Sequence, residues 1–278
     1  MKKLIFALCL LALPFARSHA QLDVSGVAGD NGYSVLRASF TTPFVLLPGM
    51  SLQAKYALFQ LDGQSDMSRY ALGLNYKLPF IDIVSAGAEF GFQPKANAYS
   101  NHYYDIHGAL ELNELLFRML PADELRLSAG YRRIYHSFYE DSFFPKEHLS
   151  ENDIYANIFQ RTGGFDTSVY ATKVMSYSGE LNRTLPWLDV PYFISAYQGF
   201  MDYSIGASAG YTFSFIRPFA AYNILKFKND EATDNMRVGV TAKILSVSVN
   251  AAVEWLNFTR NSENRERFYS LSAGVSLF

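Results

Sequence analysis

Residues 203–215 read YSIGASAGYTFSF. Every odd position, from Tyr203 through Ile205, Ala207, Ala209, Tyr211 and Phe213 to Phe215, is apolar or aromatic. Every even position, from Ser204 to Ser214, is Ser, Gly or Thr. A two-residue period puts alternate side chains on opposite faces of an extended strand, so this segment has one greasy face and one small, polar face.

The same pattern recurs outward from this stretch. Tyr269, Leu271, Ala273, Val275 and Leu277 oppose Ser270, Ser272, Gly274 and Ser276; Val247, Val249, Ala251, Val253 and Trp255 oppose Ser248, Asn250 and Glu254. Tyr70, Leu72, Leu74, Tyr76 and Leu78 oppose Arg69, Asn75 and Lys77. Soluble β-sandwiches alternate too, but their strands are usually about five or six residues. These runs are nearer the roughly 9–11 residues that cross a bilayer at a tilt. Aromatic residues cluster near strand ends (Phe90, Phe92, Tyr103, Tyr104, Tyr211, Phe213, Phe215, Trp255, Phe258), as in the interfacial girdles of membrane barrels. The fold class that follows is all-β: a transmembrane, antiparallel, up-and-down β-barrel.

Strands are predicted at 22–29, 33–41, 50–60, 68–78, 83–93, 102–113, 124–139, 151–162, 166–177, 203–215, 218–228, 236–245, 247–258 and 267–278. That is about 14, with 12 as the alternative, and the even number requires that 178–202 be one long excursion. Short links near 78–82, 163–165, 216–217 and 245–246 are expected on the periplasmic side. Longer loops near 61–67, 94–101, 140–150, 229–235 and 259–266 are expected outside. Residues 114–120, ELLFRML, are expected to form a short helical turn.

The chain's start fits export. Lys2 and Lys3 precede twelve apolar residues, Leu4 to Phe15, and Ser18-His19-Ala20 offers a cleavage site. Residues 1–20 are therefore expected to be a cleaved signal peptide, and 21–278 a single barrel domain. Cys9 is the chain's one cysteine, so the remainder has no disulfide or thiolate metal site, and no cofactor is expected. Of 24 basic residues, Lys2, Lys3 and Arg17 leave with the signal; the remaining 21 face 26 acidic ones. A net charge of −5 is no footprint for nucleic acid.

Together the cleaved leader, the amphipathic strands and the aromatic last residue, Phe278, resemble bacterial outer-membrane β-barrel proteins of porin-like architecture, over nearly the whole mature chain. The resemblance implies an outer-membrane location, contact with membrane lipid, and recognition by the outer-membrane assembly machinery through the last strand. In such proteins the final aromatic keeps phase with the apolar positions before it. Here the series ends at Leu277, and Phe278 stands one residue out of phase.

Function in a barrel concentrates on the inward positions. These are expected to present Arg37, Lys55, Arg69 and Lys77 as a basic wall, beside Glu89, Gln93, Asp105, His107 and Glu111. Arg126, Arg132 and His136 follow, and the closing strands add Lys226, Arg237, Lys243, Asn250 and Glu254. The Gly/Ser inner faces of 203–215 and 267–278 are expected to leave room for water. The reading is a passive pore for ions or small polar solutes, mildly anion-preferring because bases predominate. Trp187, Tyr192 and Tyr197 in the long excursion are candidate contacts at a constriction. An enzyme is the alternative class, with Asp105, His107 and His136 as its candidate groups. His148, Ser150 and Asn152 resemble the histidine, serine and asparagine of outer-membrane phospholipase A, but the motif around them is absent. So are GxSxG and HExxH. A closed, ligand-specific transporter or adhesion barrel is the third reading.

Overall fold

The computed structural model describes residues 20–44, 47–60, 65–78, 83–112, 122–140, 145–179, 199–228, 232–259, 263 and 265–277. Expectations for the leader, for 114–120, for Trp187, Tyr192 and Tyr197, and for Phe278 fall outside them.

The described residues form fourteen strands: β1 (Ala20–Gly29), β2 (Ser34–Pro43), β3 (Met50–Gln60), β4 (Met67–Lys77), β5 (Val84–Ala96), β6 (Tyr99–Glu111), β7 (Glu124–Phe138), β8 (Glu147–Thr162), β9 (Phe165–Ser178), β10 (Met201–Tyr211), β11 (Ile216–Phe227), β12 (Ala232–Ile244), β13 (Val247–Leu256) and β14 (Glu266–Leu277). Each pairs antiparallel with the next. β1 closes the ring on β14 through ten register pairs, from Ala20↔Leu277 to Gly29↔Phe268. Closure leaves no edge strand with unpaired backbone groups, which is the condition for crossing hydrocarbon as a sheet. β9 pairs directly with β10, so no fifteenth strand intervenes, and twelve is too few.

The outward register is apolar and exposed: Leu72, Ile106, Ile158, Val169, Ile205 and Leu271 are all among the exposed large hydrophobics. Polar side chains take the inward register. One end of the barrel carries the two-residue turns at 163–164 and 245–246; we call it the turn end. The other, the loop end, carries the long connection 179–200.

Three local readings change. Residues 94–101 are not a loop: β5 and β6 run to Ala96 and from Tyr99. Asn97 and Ala98, both at left-handed φ (50° and 58°), make the two-residue turn whose twist suits a tight hairpin. Residues 140–150 are likewise shortened, because β8 begins at Glu147. β10 stops at Tyr211, and Phe213 to Ile216 close a tight turn on their own bridge. The weak alternation in β8 and β9 has a cause. A bulge puts Asn152 opposite Ser176 but Asp153 opposite Val174, so Met175 is an extra residue and the phase slips.

Candidate functional site

Inward side chains of β1–β9, β13 and β14 surround a cavity of about 1010 Å³ in the lumen. It reaches from Gly49, Lys77 and Ser85, near the turn end, to Tyr99, Asn101 and His136. Its charged lining comprises Arg37, Lys55, Arg69, Lys77 and Arg132 with Asp23, Glu89 and Asp105, so five cations face three carboxylates. His107 and Asn250 also line it.

The walls are tied to one another across the strands. Lys55 Nζ lies 2.7 Å from Glu89 Oε2, and the Tyr103 hydroxyl donates to Glu89 Oε1 at 2.6 Å. Asp105 is a hub. It accepts from the Tyr155 hydroxyl at 2.7 Å, from His107 Nδ1 at 2.9 Å and from Arg132 Nε at 3.3 Å. His107 Nε2 reaches the Asn75 amide group at 2.8 Å. The basic residues of β2–β4 and the carboxylates of β5 and β6 stand as neighbouring rows, with Glu89 beside Asp105 in register, and ion pairs from Lys55 and Arg132 join the acidic row to bases on both flanks.

The inner face of β10–β12 contributes nothing to the cavity. The expectation that its Gly/Ser face leaves room is overturned. A side chain on Gly206 would collide with Tyr170 and Asn223, and one on Gly210 with the Arg217 guanidinium. Arg217 holds Asp166 through two hydrogen bonds, the Nε one at 2.6 Å. Gly274, on β14, similarly seats Asp23 and Ser248. Glycine in a strand permits close approach, and here the approaching groups are neighbours' large side chains.

The other predicted residues separate. Glu111 and Arg126 are register partners near the turn end, and Arg126 lies 5.5 Å over the Phe159 ring. Arg237 and Glu254 are register partners beside the filled arc, with Arg237 5.2 Å over Phe219 and Glu254 fully buried. Lys243 is paired in register with Ser248 at the turn end. None of these five lines the cavity. Lys226 was placed on the wrong face: it is the partner of outward Tyr203. Ile224 and Leu225 are apolar on both faces there, so alternation carried no phase. Tyr103, read as girdle, points inward to Glu89.

Sequence reasoning missed the feature that bounds the cavity. At the loop end the inward register turns apolar. Val27, Tyr33, Val35, Phe59, Met67 and Phe268 form one buried cluster, Val174, Met201 and Leu225 a second, and Tyr99, Phe138, Leu149 and Phe200 a third. Leu256 packs against the first and second, and Tyr177 against the second and third. The result is a largely apolar layer at the loop end, interrupted by the buried Glu254, Asn235 and Glu151, register partners of Phe268, Leu256 and Tyr177. Directly beneath it, the Tyr99 hydroxyl lies 2.7 Å from His136 Nδ1, and Gln93 Nε2 contacts Met67 Sδ at 3.4 Å. The signal was present in phase: Lys55-x-Ala57-x-Phe59 and His136-x-Phe138 keep one face while changing its polarity.

The candidate catalytic sets do not assemble. His136 is engaged by Tyr99, away from Asp105 and His107. His148 Nδ1 pairs with Ser137 Oγ at 3.1 Å, Ser150 with Ser178 at 2.6 Å, and Asn152 with Tyr131 and Ser176.

No protein-family model and no curated protein matches the sequence. Solved structures do match it in fold. The outer membrane protein Omp33 of Acinetobacter baumannii aligns with a TM-score of 0.53 at 12% identity, over 93% of this chain and 98% of that one. Outer-membrane expressed OmpT of Vibrio cholerae gives 0.53 at 12%, over 93% and 96%. The fold is that of an outer-membrane β-barrel. CdiB from Acinetobacter baumannii scores 0.54 at 9% identity, and the match spans 94% of this chain but 60% of that longer one.

Proposed function

We propose that this barrel is an outer-membrane channel for small polar solutes or ions, with its loop end facing outward and the apolar layer as its gate. The carrying observation is the charged cavity of about 1010 Å³ lying against that layer inside a closed ring of strands. Fourteen strands lie between the roughly eight that side chains fill and the sixteen that enclose an open channel, and this lumen is correspondingly half filled. An apolar constriction excludes ions by dewetting until it widens. The excess of lining cations supports the anion preference, with Arg37 on β2, Lys55 on β3 and Arg69 and Lys77 on β4. The exposed apolar belt supports lipid contact, and β14 is the strand on which assembly machinery would act.

Planar-bilayer recording tests this. The wild type should show infrequent or small steps, and a variant with Phe59→Ser and Met67→Ser should show larger and longer ones. A reversal potential displaced toward the anion equilibrium supports the selectivity. If both proteins fold yet neither conducts, the channel reading fails.

A further inference from the structure

On β7–β14 the outward register, which should meet lipid, carries cations only toward the loop end among the described strand residues: Arg133, Lys173, Lys226 and Arg267. Three of them fall on one arc, β7–β11. Lys173 and Lys226 are both register partners of Tyr203, from opposite sides. Strands about 4.8 Å apart therefore put their backbones roughly 10 Å from each other. Arg133 joins from the other flank through Asn152 and Ser176, which are successive partners across β8 and β9.

The height of this arc is informative. Arg133 and Lys173 each stand eight residues beyond the first outward residue of their strands, Leu125 and Phe165. At about 3.3 Å per residue and a tilt near 40°, that is roughly 20 Å along the barrel axis. The apolar band of such barrels is about 25 Å tall. The cations therefore stand within roughly 5 Å of the band's loop-end edge, close enough for their long side chains to reach the headgroups.

The surface between them is built for a polar headgroup. The Tyr131 hydroxyl donates to Asn152 Oδ1 at 2.6 Å, and Asn152 Nδ2 donates to Ser176 Oγ at 2.8 Å. Arg133 lies 5.0 Å over the Tyr135 ring, on which His102 stacks at 4.9 Å. Lys173 lies 5.7 Å from the Tyr203 ring centroid and pairs with Asp202 at 2.6 Å, its side chain still 48% exposed. Pairs this exposed contribute little and exchange partners readily.

We infer that the outward arc from Arg133 to Lys226 is a docking site for a phosphorylated glycolipid headgroup of the surrounding leaflet. Separated cations suit more than one phosphate, and the amide, hydroxyl and aromatic groups between them suit a saccharide. The inference does not need the channel reading and rests on the barrel's height in the membrane.

The test is lipid retention by the full barrel in detergent, read by native mass spectrometry. The probes are bisphosphorylated lipid A, its dephosphorylated counterpart and inorganic phosphate. The wild type should retain the phosphorylated glycolipid at least tenfold better than the dephosphorylated one. Arg133→Gln with Lys173→Gln should abolish that difference while the barrel stays heat-modifiable, and Lys77→Gln in the lumen should leave it intact. Equal retention of both lipids, displacement by inorganic phosphate alone, or an unaffected double variant overturns the inference. Detergent has no sidedness, so a wrong orientation of the barrel would not disguise the outcome.

Discussion

Two arcs of this barrel are written in the same alternating code and end up differently filled. On β3–β7 the inward positions carry charges tied to one another around Glu89 and Asp105, and a cavity remains in front of them. Of β10–β12, the inward face of β10 is the poorest in side-chain volume, with Ser204, Gly206, Ser208 and Gly210, yet none of these four lines the cavity. Tyr170, Asn223 and Arg217 occupy the vacated space. Room inside a barrel is therefore set by the strands flanking a small-residue strand, because a large neighbour leans into whatever gap is offered.

The sharpest way to break this comparison is to add volume on each arc. Gly206→Leu should lower stability by about 1–3 kcal/mol, since it overpacks against Tyr170 and Asn223. Ser272→Leu, facing the cavity, should change stability by less than about 1 kcal/mol. Urea titration followed by tryptophan fluorescence compares the two. Equal costs would mean that the arcs are packed alike.

The apolar layer provides a second contrast, between the loop end and the middle of the same strands. Phe59 and Met67 are buried to 1% and 0% exposure. Phe59→Ala should cost about 3–5 kcal/mol and Met67→Ala about 2–5 kcal/mol. Both should raise single-channel current. A loss of stability without added current would make the layer a structural plug rather than a gate.

Most of the architecture was legible because alternation reports which positions share a face. All fourteen predicted strands overlap an observed one. The failures have one physical origin: a period of two says nothing about what fills the face. It identified the face of Gly206 but not the tyrosine resting on it. It placed Phe59 in phase with Lys55 without showing that the inward face had become a hydrophobic core. Where apolar residues occur on both faces, as at Ile224 and Leu225, even the phase is lost, and Lys226 was read inward. The bulge at Met175 erased the pattern in β9 for a similar reason.

Within the polar walls, the paired hubs of the two arcs can be set against each other. Asp105→Asn weakens the contacts to Arg132, His107 and Tyr155, and Asp166→Asn weakens those to Arg217. Each leaves a guanidinium short of its carboxylate, at a cost of roughly 2–3 kcal/mol. Only the Asp105 change should also alter conductance, because Asp166 lies outside the cavity lining.

A small structural effect is expected from Arg37→Ala combined with Arg69→Ala. Both side chains lie over the Phe59 ring, at 5.9 and 5.2 Å, so some packing is lost and a decrease of about 1 kcal/mol is expected. The functional effect should be larger. Five lining cations facing three carboxylates become three facing three, so the reversal potential under a salt gradient should move toward zero. The measurement separates two origins of selectivity. If local lumen charge governs permeation, anion preference disappears in the double variant. If it survives intact, selectivity lies at the loop end, and the tied charges of β3–β7 serve to hold the wall rather than to choose the ion.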